Sequence, residues 1–328
     1  MFISVNKPEK QSDPSMTSSE PIQPGPDNSN NYAPIGVFDS GSGGLTVLQA
    51  LRSTLPERDF IYLGDHARAP YGPKSGPEIY EMTRQGVDFL FSKGCRLVIL
   101  ACNTASAIAL RKLQQEWLPT RAPDNRILGV LVPMVEAITV RPWIRWEQHP
   151  QQNLEGTVAI FATEATVRSG TYVVEINKRA PRLRIVQQAC PALVPAIESR
   201  ESSDVLRNHV TDYVSSLLEQ SPELPSWIML GCTHYPLLKD YFAQAVTELT
   251  GKQTPLLCQA SISADSLGDY LRRHSHLASL RSTTAFQTGQ GQLFTSGNSD
   301  LIAEATGVFL PETADNKLIN FWQEASLL

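Results

Sequence analysis

A short apolar run that ends in polar residues decides the fold: Leu97-Val98-Ile99-Leu100-Ala101-Cys102-Asn103-Thr104. Its first four side chains are β-branched or leucine, and no polar residue alternates with them, which is typical of a strand covered on both faces of a sheet. Residues 104–117 follow it and have the length of a helix. A buried strand that leads straight into a helix predicts an α/β unit.

The same pattern recurs along the rest of the chain. Seven further apolar runs of four or five residues span 35–38, 60–63, 127–131, 158–161, 183–186, 227–230 and 255–258. Helical candidates alternate with them at 44–54, 77–92, 204–219 and 236–249. Strand and helix in alternation predict an α/β fold with mainly parallel sheets.

A weak internal echo divides the chain into two units of like design. Cys102 lies 63 residues after Asp39, and Cys232 lies 69 residues after Thr163, with an apolar run before each of the four. The polar segment 141–153 separates the two halves and is expected to be an exposed insertion or linker. We expect a first α/β domain over 34–131, rejoined by about 260–328, and a second over 132–259.

Composition excludes several classes of function. The 328 residues carry a formal charge of -5 without a basic run, which disfavours nucleic acid as a partner. No stretch of about 18 apolar residues suggests a membrane span. Five widely spaced cysteines, an odd number, favour reduced thiols and therefore the cytoplasm. Residues 1–33 are mostly polar and predict a disordered tail.

Two cysteines carry the strongest chemical signal. Cys102 and Cys232 each follow an apolar strand and precede a predicted helix, so both are expected at the carboxyl edge of a sheet, where ligands bind. A helix N-terminus lowers a thiol pKa, so that each sulfur could act as a base or an acid. The alternative is a buried, inert cysteine. We assign that alternative to Cys95, Cys190 and Cys258.

A glycine-rich turn follows the first strand: Phe38-Asp39-Ser40-Gly41-Ser42-Gly43-Gly44. A dinucleotide loop is disfavoured, because Thr46 stands where its third glycine is expected and Asp39 would repel a pyrophosphate. We interpret the glycines as permitting close approach to a small ligand, with Asp39 and Ser40 directed into the pocket. A plain tight turn is the alternative.

Two further segments contain candidate residues. Asp65 and His66 follow the second strand and are interpreted either as binding residues or as caps of the next helix. His234 lies two residues after Cys232. A lone histidine is often only a structural donor, but this position favours a functional role.

Several of these stretches together resemble the glutamate racemase family. The motifs are Gly36-Val37-Phe38-Asp39-Ser40-Gly41, Pro70-Tyr71-Gly72, Ala101-Cys102-Asn103-Thr104-Ala105, Ala162-Thr163 to Tyr172, Cys190-Pro191 and Leu230-Gly231-Cys232-Thr233-His234-Tyr235-Pro236-Leu237-Leu238. The resemblance runs from about Pro34 to the end of the sequence. The tail and segment 141–153 depart from the family pattern without touching a motif.

The resemblance implies two similar α/β domains that face each other across an active-site cleft. It implies interconversion of L- and D-glutamate, which supplies D-glutamate for peptidoglycan, with catalytic Cys102 and Cys232. The implied substrate-binding residues are Asp39, Ser40, Tyr71, Gly72, Asn103, Thr104, Thr233 and His234. Thr163 and Thr166 resemble further pocket-lining residues.

Inversion at Cα agrees with this reading, because it needs acid/base groups on both faces of a planar carbanion. The chain shows no phosphate loop paired with a Schiff-base lysine, so we expect no cofactor and no metal. Stabilisation of the carbanion must then come from oriented N–H groups and polar side chains. We further hypothesise that Asp39 lies near Cys102, that His234 lies near Cys232, and that each tunes its neighbour.

Other functions stay open at this point. A racemase for aspartate or another amino acid uses the same chemistry. A cysteine hydrolase leaves the second cysteine unexplained, and a zinc site lacks a second ligand pair beside Cys232 and His234. A non-catalytic binding module on the same fold is a further alternative. A small-molecule substrate is the expected partner, and a homodimer is left open.

Overall fold

A computed structural model describes residues 33–140, 154–221, 223–277, 292–306, 309 and 322–327. The predicted tail, apart from Ala33, and the predicted insertion 141–153 lie outside the described residues. No helix in the described part of the chain is both long and apolar enough to cross a membrane.

Strands in the described residues pair in parallel and form two sheets. The first has the order β10-β9-β2-β1-β3-β4 and the second the order β6-β5-β7-β8. The first four strands are β1 (Ile35–Asp39), β2 (Phe60–Gly64), β3 (Leu97–Leu100) and β4 (Arg126–Gly129). The next four are β5 (Gly156–Ala162), β6 (Leu183–Ala189), β7 (Trp227–Gly231) and β8 (Leu256–Leu257). Two strands that the sequence patterns did not predict, β9 (Gln292–Thr295) and β10 (Trp322–Glu324), extend the first sheet.

Helices connect and cover these strands. In the first part of the chain they are α1 (Leu45–Thr54), α2 (Gly76–Ser92), α3 (Asn103–Ile108), α4 (Leu110–Lys112), α5 (Leu118–Arg121) and α6 (Leu131–Thr139). They continue as α7 (Glu164–Ser169), α8 (Thr171–Asn177), α9 (Leu193–Glu198), α10 (Ser203–Glu219), α11 (Lys239–Thr250), α12 (Gln259–Arg273) and α13 (Ser299–Ala305). Polar caps fix several starts: Ser75 forms a capping box with Glu78 on α2, and Ser202 caps α10.

Two of the predicted helices differ from the structure. The helix expected over 104–117 is broken into α3, α4, a π-helix over Leu113–Trp117, and α5. Pro119 has no N–H to donate to the preceding turn, and the wide π-turn lies there. The helix expected over 236–249 begins only at Lys239, because Tyr235–Leu238 forms a 3₁₀ turn.

The two sheets repeat one design, as the internal echo predicted. The order β2-β1-β3-β4 in the first sheet corresponds to β6-β5-β7-β8 in the second, so β3 and β7 occupy equivalent places. Two similar α/β units with parallel sheets are therefore confirmed. The domain boundaries at 34, 131 and 259 stay predictions.

The strand order also places the chemistry. Side chains of β1, β2 and β3 are fully buried, which makes these strands a rigid support. Parallel strands present their carboxyl ends at one edge, and there the chain passes into Ser40, Asp65 and Cys102. The second sheet presents Thr163 and Cys232 at its own carboxyl edge.

Candidate active site

Cys102 and Cys232 line the same pocket, a space of about 750 Å³ that includes adjoining solvent. Cys102 follows β3 of the first sheet, and Cys232 follows the equivalent strand β7 of the second. Both thiols are nearly buried, with 5% and 6% of their surfaces exposed. The pocket therefore receives one sulfur from each sheet.

Cys102 caps the start of α3 and has a polar neighbour on the first sheet. Its Sγ accepts a hydrogen bond from the Ala105 N–H at 3.5 Å and contacts Ser40 Oγ at 3.5 Å. Burial, and then the negative charge of Asp39, raise the pKa of this thiol to about 12. We expected the helix start to lower the pKa of Cys102, and that expectation is wrong, because loss of water outweighs the hydrogen bonds.

Asp39 lies behind the pocket lining, fully buried at the end of β1. Its Oδ2 accepts hydrogen bonds from the N–H groups of Gly41 and Gly44, at 3.2 and 2.9 Å. Its Oδ1 accepts one from Thr233 Oγ1 at 3.5 Å, which joins the first glycine-rich turn to the turn that carries Cys232. Burial raises the pKa of Asp39 to about 6 despite these bonds.

Cys232 has a different set of neighbours. Its Sγ lies 4.0 Å from Nδ1 of His234, and Nε2 of that histidine lies 3.0 Å from a carboxylate oxygen of Glu198. Burial disfavours a charged imidazole, but the contacts with Cys232 and Glu198 outweigh it and raise the pKa of His234 to about 10. The same ion pair lowers the pKa of Glu198 against its own desolvation. The environments of the two sulfurs are thus unequal.

Three threonine hydroxyls meet at the far wall of the pocket. Thr104 Oγ1 lies 2.9 Å from Thr163 Oγ1 and 3.3 Å from Thr166 Oγ1, while Thr163 and Thr166 are 3.0 Å apart. Thr104 follows β3 of the first sheet, whereas Thr163 and Thr166 follow β5 of the second. The cluster therefore joins both halves. Thr163 also caps α7. Hydroxyls can donate or accept as a ligand demands.

A strap over residues 69–75 borders the mouth of the pocket and contributes Tyr71 and Gly72 to its lining. The Tyr71 hydroxyl donates to the buried carboxylate of Asp65, which also forms an ion pair with Arg68 at 2.8 Å. Asp65 thus supports the strap and neither caps a helix nor lines the pocket. The Gly72 carbonyl accepts a hydrogen bond from the Ala165 N–H at 3.1 Å, across to the other half.

Most residues singled out from the sequence come together here. The lining includes Ser40, Tyr71, Gly72, Cys102, Asn103, Thr104, Thr163, Cys232, Thr233 and His234. Asp39 and Thr166 lie behind it, both fully buried. For His66, the sequence left open a binding role or a helix cap. Its ring contacts Ser42 Oγ and Thr295 Oγ1, both at 2.9 Å.

Sequence reasoning missed other lining residues. Glu198 ends α9 in a stretch without a motif, so no signal in the sequence points to it. Cys190 lines the pocket although we considered it inert, and its place after β6 was the available signal. Cys258 was expected to be buried and is exposed, because β8 has only two residues and ends at the surface.

Comparison with known proteins adds independent information. The chain matches no family model. It is similar to the glutamate racemase of Roseobacter denitrificans, with 43% identity over 258 residues, 78% of this chain and 91% of that protein. The glutamate racemase of Dinoroseobacter shibae is 43% identical over 257 residues, 77% of this chain and 89% of its own.

Solved structures agree in fold. A glutamate racemase isoform from Bacillus anthracis superposes with a TM-score of 0.73 and 26% identity, covering 91% of this chain and 99% of its own. A glutamate racemase from Francisella tularensis, solved in complex with D-glutamate, gives a TM-score of 0.72 and 27% identity. That alignment covers 90% of this chain and 98% of the other.

Proposed function

The chain belongs to the glutamate racemase family, whose reaction interconverts L- and D-glutamate, and we propose that Cys102 and Cys232 are its two acid/base groups. The observation that carries the proposal is the entry of the two thiols into one pocket from equivalent strands of opposite sheets. A carbon held between them can lose a proton on one face and receive one on the other.

The proton steps balance without an outside reagent. One sulfur begins as a thiolate and the other as a thiol. The thiolate takes the α-proton, the C–H electron pair stays on Cα, and the thiol then protonates the opposite face. The two sulfurs have exchanged charge states, and the same steps run backwards for the other enantiomer.

The unequal surroundings of the sulfurs favour one starting state. A protonated His234, held by Glu198 at 3.0 Å, places its positive charge 4.0 Å from the Cys232 sulfur. Burial and Asp39 raise the pKa of Cys102 and keep it a thiol. We therefore assign the resting enzyme a protonated His234 beside Cys232, and a Cys102 thiol.

Neutral donors bind the two substrate carboxylates in this proposal. The described residues that line the pocket include neither lysine nor arginine. Neutral hydroxyl donors line the pocket on Ser40, Thr104, Thr163 and Thr233. They can donate to carboxylate oxygens and to the charge that develops on the α-carboxylate. A D-glutamate ligand is supported by the relative from Francisella tularensis, whose structure contains it.

The setting of the reaction is also part of the proposal. We place the protein in the cytoplasm, where reduced thiols persist, and its five cysteines are all unpaired. We assign its product, D-glutamate, to peptidoglycan synthesis. A homodimer stays a prediction, which the molar mass of the protein in solution would check.

Racemisation in deuterated buffer tests the chemistry directly. We expect each enantiomer of glutamate to acquire solvent deuterium at Cα as it inverts. Cys102→Ala and Cys232→Ala should each lower kcat by roughly 10²-fold or more, since each removes one of two required proton carriers. Cys258→Ala is the control, because this exposed thiol lies outside the pocket lining.

Two outcomes would reject the assignment. Near-normal racemisation by either pocket variant would remove that cysteine from the mechanism. Faster racemisation of aspartate than of glutamate, measured in parallel, would mean that this pocket selects a shorter substrate.

A further inference from the structure

A closed set of hydrogen bonds lies directly behind the turn that carries Cys102. Asn103 Nδ2 donates to Gln259 Oε1 at 2.7 Å, and Gln259 Nε2 donates back to Asn103 Oδ1 at 2.9 Å. The Tyr172 hydroxyl donates to the same Oδ1 at 2.7 Å and accepts from Gln259 Nε2 at 3.3 Å. Each group thus bonds to both of the others.

These three side chains are cut off from water. Tyr172 is fully buried, and Asn103 and Gln259 expose 2% and 4% of their surfaces. Burial raises the pKa of Tyr172, so its hydroxyl keeps the proton that it donates. A polar group buried without a partner costs free energy, and here each one has partners at good distance.

The set joins three separate parts of the chain. Asn103 is the first residue of α3 and follows Cys102, Tyr172 lies in α8 beyond the second sheet's β5, and Gln259 is the first residue of α12. The side-chain amide of Asn103 is therefore held on two sides by elements that come from elsewhere in the sequence.

We propose that Gln259 and Tyr172 are positioning residues of the racemisation: they hold Asn103 and thereby fix the turn that presents the Cys102 sulfur to Cα. The inference rests on the proposed role of Cys102. It gives the Asn103 side chain structural partners, while the substrate contact that the resemblance implies for this pocket-lining residue stays a prediction. The α-proton must be met at close distance and correct angle, so a small rotation of this turn lowers the rate of its transfer.

Substitutions of similar volume test the proposal. Gln259→Met and Tyr172→Phe should each lower kcat by roughly 10-fold in both directions, with KM little changed. The double variant should lose little more than either single one, because both act through Asn103. Thr83→Val is the matched control: it removes another buried hydroxyl, bonded to the Ile79 carbonyl within α2, and should leave kcat unchanged.

Gln259→Glu provides a readout that loss of stability alone would not give. A protonated glutamic acid can still donate to Asn103 Oδ1 and accept from Nδ2, whereas an ionised one can only accept. Burial raises the pKa of such a carboxyl. Its kcat relative to the natural enzyme should therefore approach one at low pH and fall as pH rises, while the ratio for Gln259→Met stays flat.

The outcomes separate this proposal from the previous one. Full activity of Gln259→Met and Tyr172→Phe, with Cys102→Ala inactive, would overturn the positioning role and leave the two-cysteine mechanism standing. An active Cys102→Ala would remove the basis of both. A Gln259→Glu ratio that does not change with pH would also count against the positioning role.

Discussion

Asp39 shows how one side chain can conflict with its surroundings. It is completely buried, and its pKa is raised from 3.8 to about 6, so near neutral pH the fold holds a carboxylate that water would solvate better. The N–H groups of Gly41 and Gly44 offset only part of this cost. A buried charge that acts on a pocket cysteine is typical of a site where function outweighs stability.

The buried charge on Asp39 makes the stability of the folded protein depend on pH. Because the folded pKa of Asp39 exceeds the unfolded one, the folded chain binds more protons between about pH 4 and 6, and stability from this group falls as pH rises. Asp39→Asn keeps the shape and removes the titration. Its free energy of unfolding, relative to the natural protein, should increase by about 1 kcal/mol between about pH 5 and pH 8.

Urea unfolding of both proteins at the two pH values measures the difference. A constant offset between the two proteins is expected from altered hydrogen bonds and does not affect the test. A relative stability that stays level or decreases toward pH 8 would show that Asp39 is not held with a raised pKa.

At the scale of elements, the strap over 69–75 and helix α7 both line the pocket and bond to each other. The Gly72 carbonyl accepts from the Ala165 N–H, and the Arg168 guanidinium donates to the Lys74 carbonyl at 3.0 Å. Gly72 itself faces Thr163 closely, since an added Cβ would lie 3.4 Å from the Thr163 Cβ. These contacts hold the strap against the other half of the molecule.

Arg168→Ala should therefore loosen the closed pocket. We expect KM to rise several-fold for both enantiomers, while the melting temperature hardly changes, because Arg168 is exposed and its hydrogen bond is a surface contact. Steady-state kinetics and thermal unfolding measure the two effects. Arg182→Ala is the control, since Arg182 is an exposed arginine that pairs with Glu155. An equal rise of KM in this variant would show that the effect of Arg168→Ala does not come from the strap.

Elements were predicted with uneven success, for identifiable reasons. The strand expected over 97–100 matches β3, because a short apolar run buried on both faces carries its own signal. The long helix expected over 104–117 was wrong toward its end, where a π-helix over Leu113–Trp117 precedes Pro119, which has no N–H to donate. Strands β9 and β10 were missed, since short strands of mixed polarity resemble loops in sequence.

At the scale of the whole molecule, the two halves approach so closely that only a hydrogen fits between them at Gly43. A Cβ at this position would lie 2.4 Å from Thr233 Oγ1 and 2.5 Å from His234 Nδ1. Gly43 belongs to the turn after β1, and both contacted residues follow β7 of the other sheet. The distance between the turns after β1 and β7 therefore depends on the absence of a side chain at Gly43.

Gly43→Ala should push these two turns apart and lower kcat by roughly 10²-fold, an effect typical of a displacement of about 1 Å at the reacting groups. Racemase assays beside circular dichroism check that the loss occurs in a folded protein. Gly268→Ala is the control, because a Cβ there meets ordinary contact distances of 3.8 Å or more inside α12. A Gly43→Ala enzyme with normal kcat would show that the two turns accommodate a Cβ at this position without displacing the reacting groups.

By itself, the sequence determined the repeated α/β design and about half of the pocket lining. Hydrophobic runs and the residues that end them are local features, and strand ends such as Asp39, Cys102, Thr163 and Cys232 fall at one edge of a parallel sheet as a matter of geometry. Ser40, Cys102, Cys232 and His234 could be anticipated from such local features, whereas Tyr71, Gly72, Asn103, Thr104, Thr163 and Thr233 came from the resemblance to glutamate racemases.

Only the tertiary structure decided which side chains those residues contact and how their pKa values differ. Glu198 reaches His234 from 36 residues away, and Gln259 reaches Asn103 from 156 residues away, with no local pattern to announce either contact. The high pKa of Cys102 likewise depends on how much water the folded walls exclude. Burial and charge are sums over neighbours in space, and a linear sequence does not state which neighbours those are.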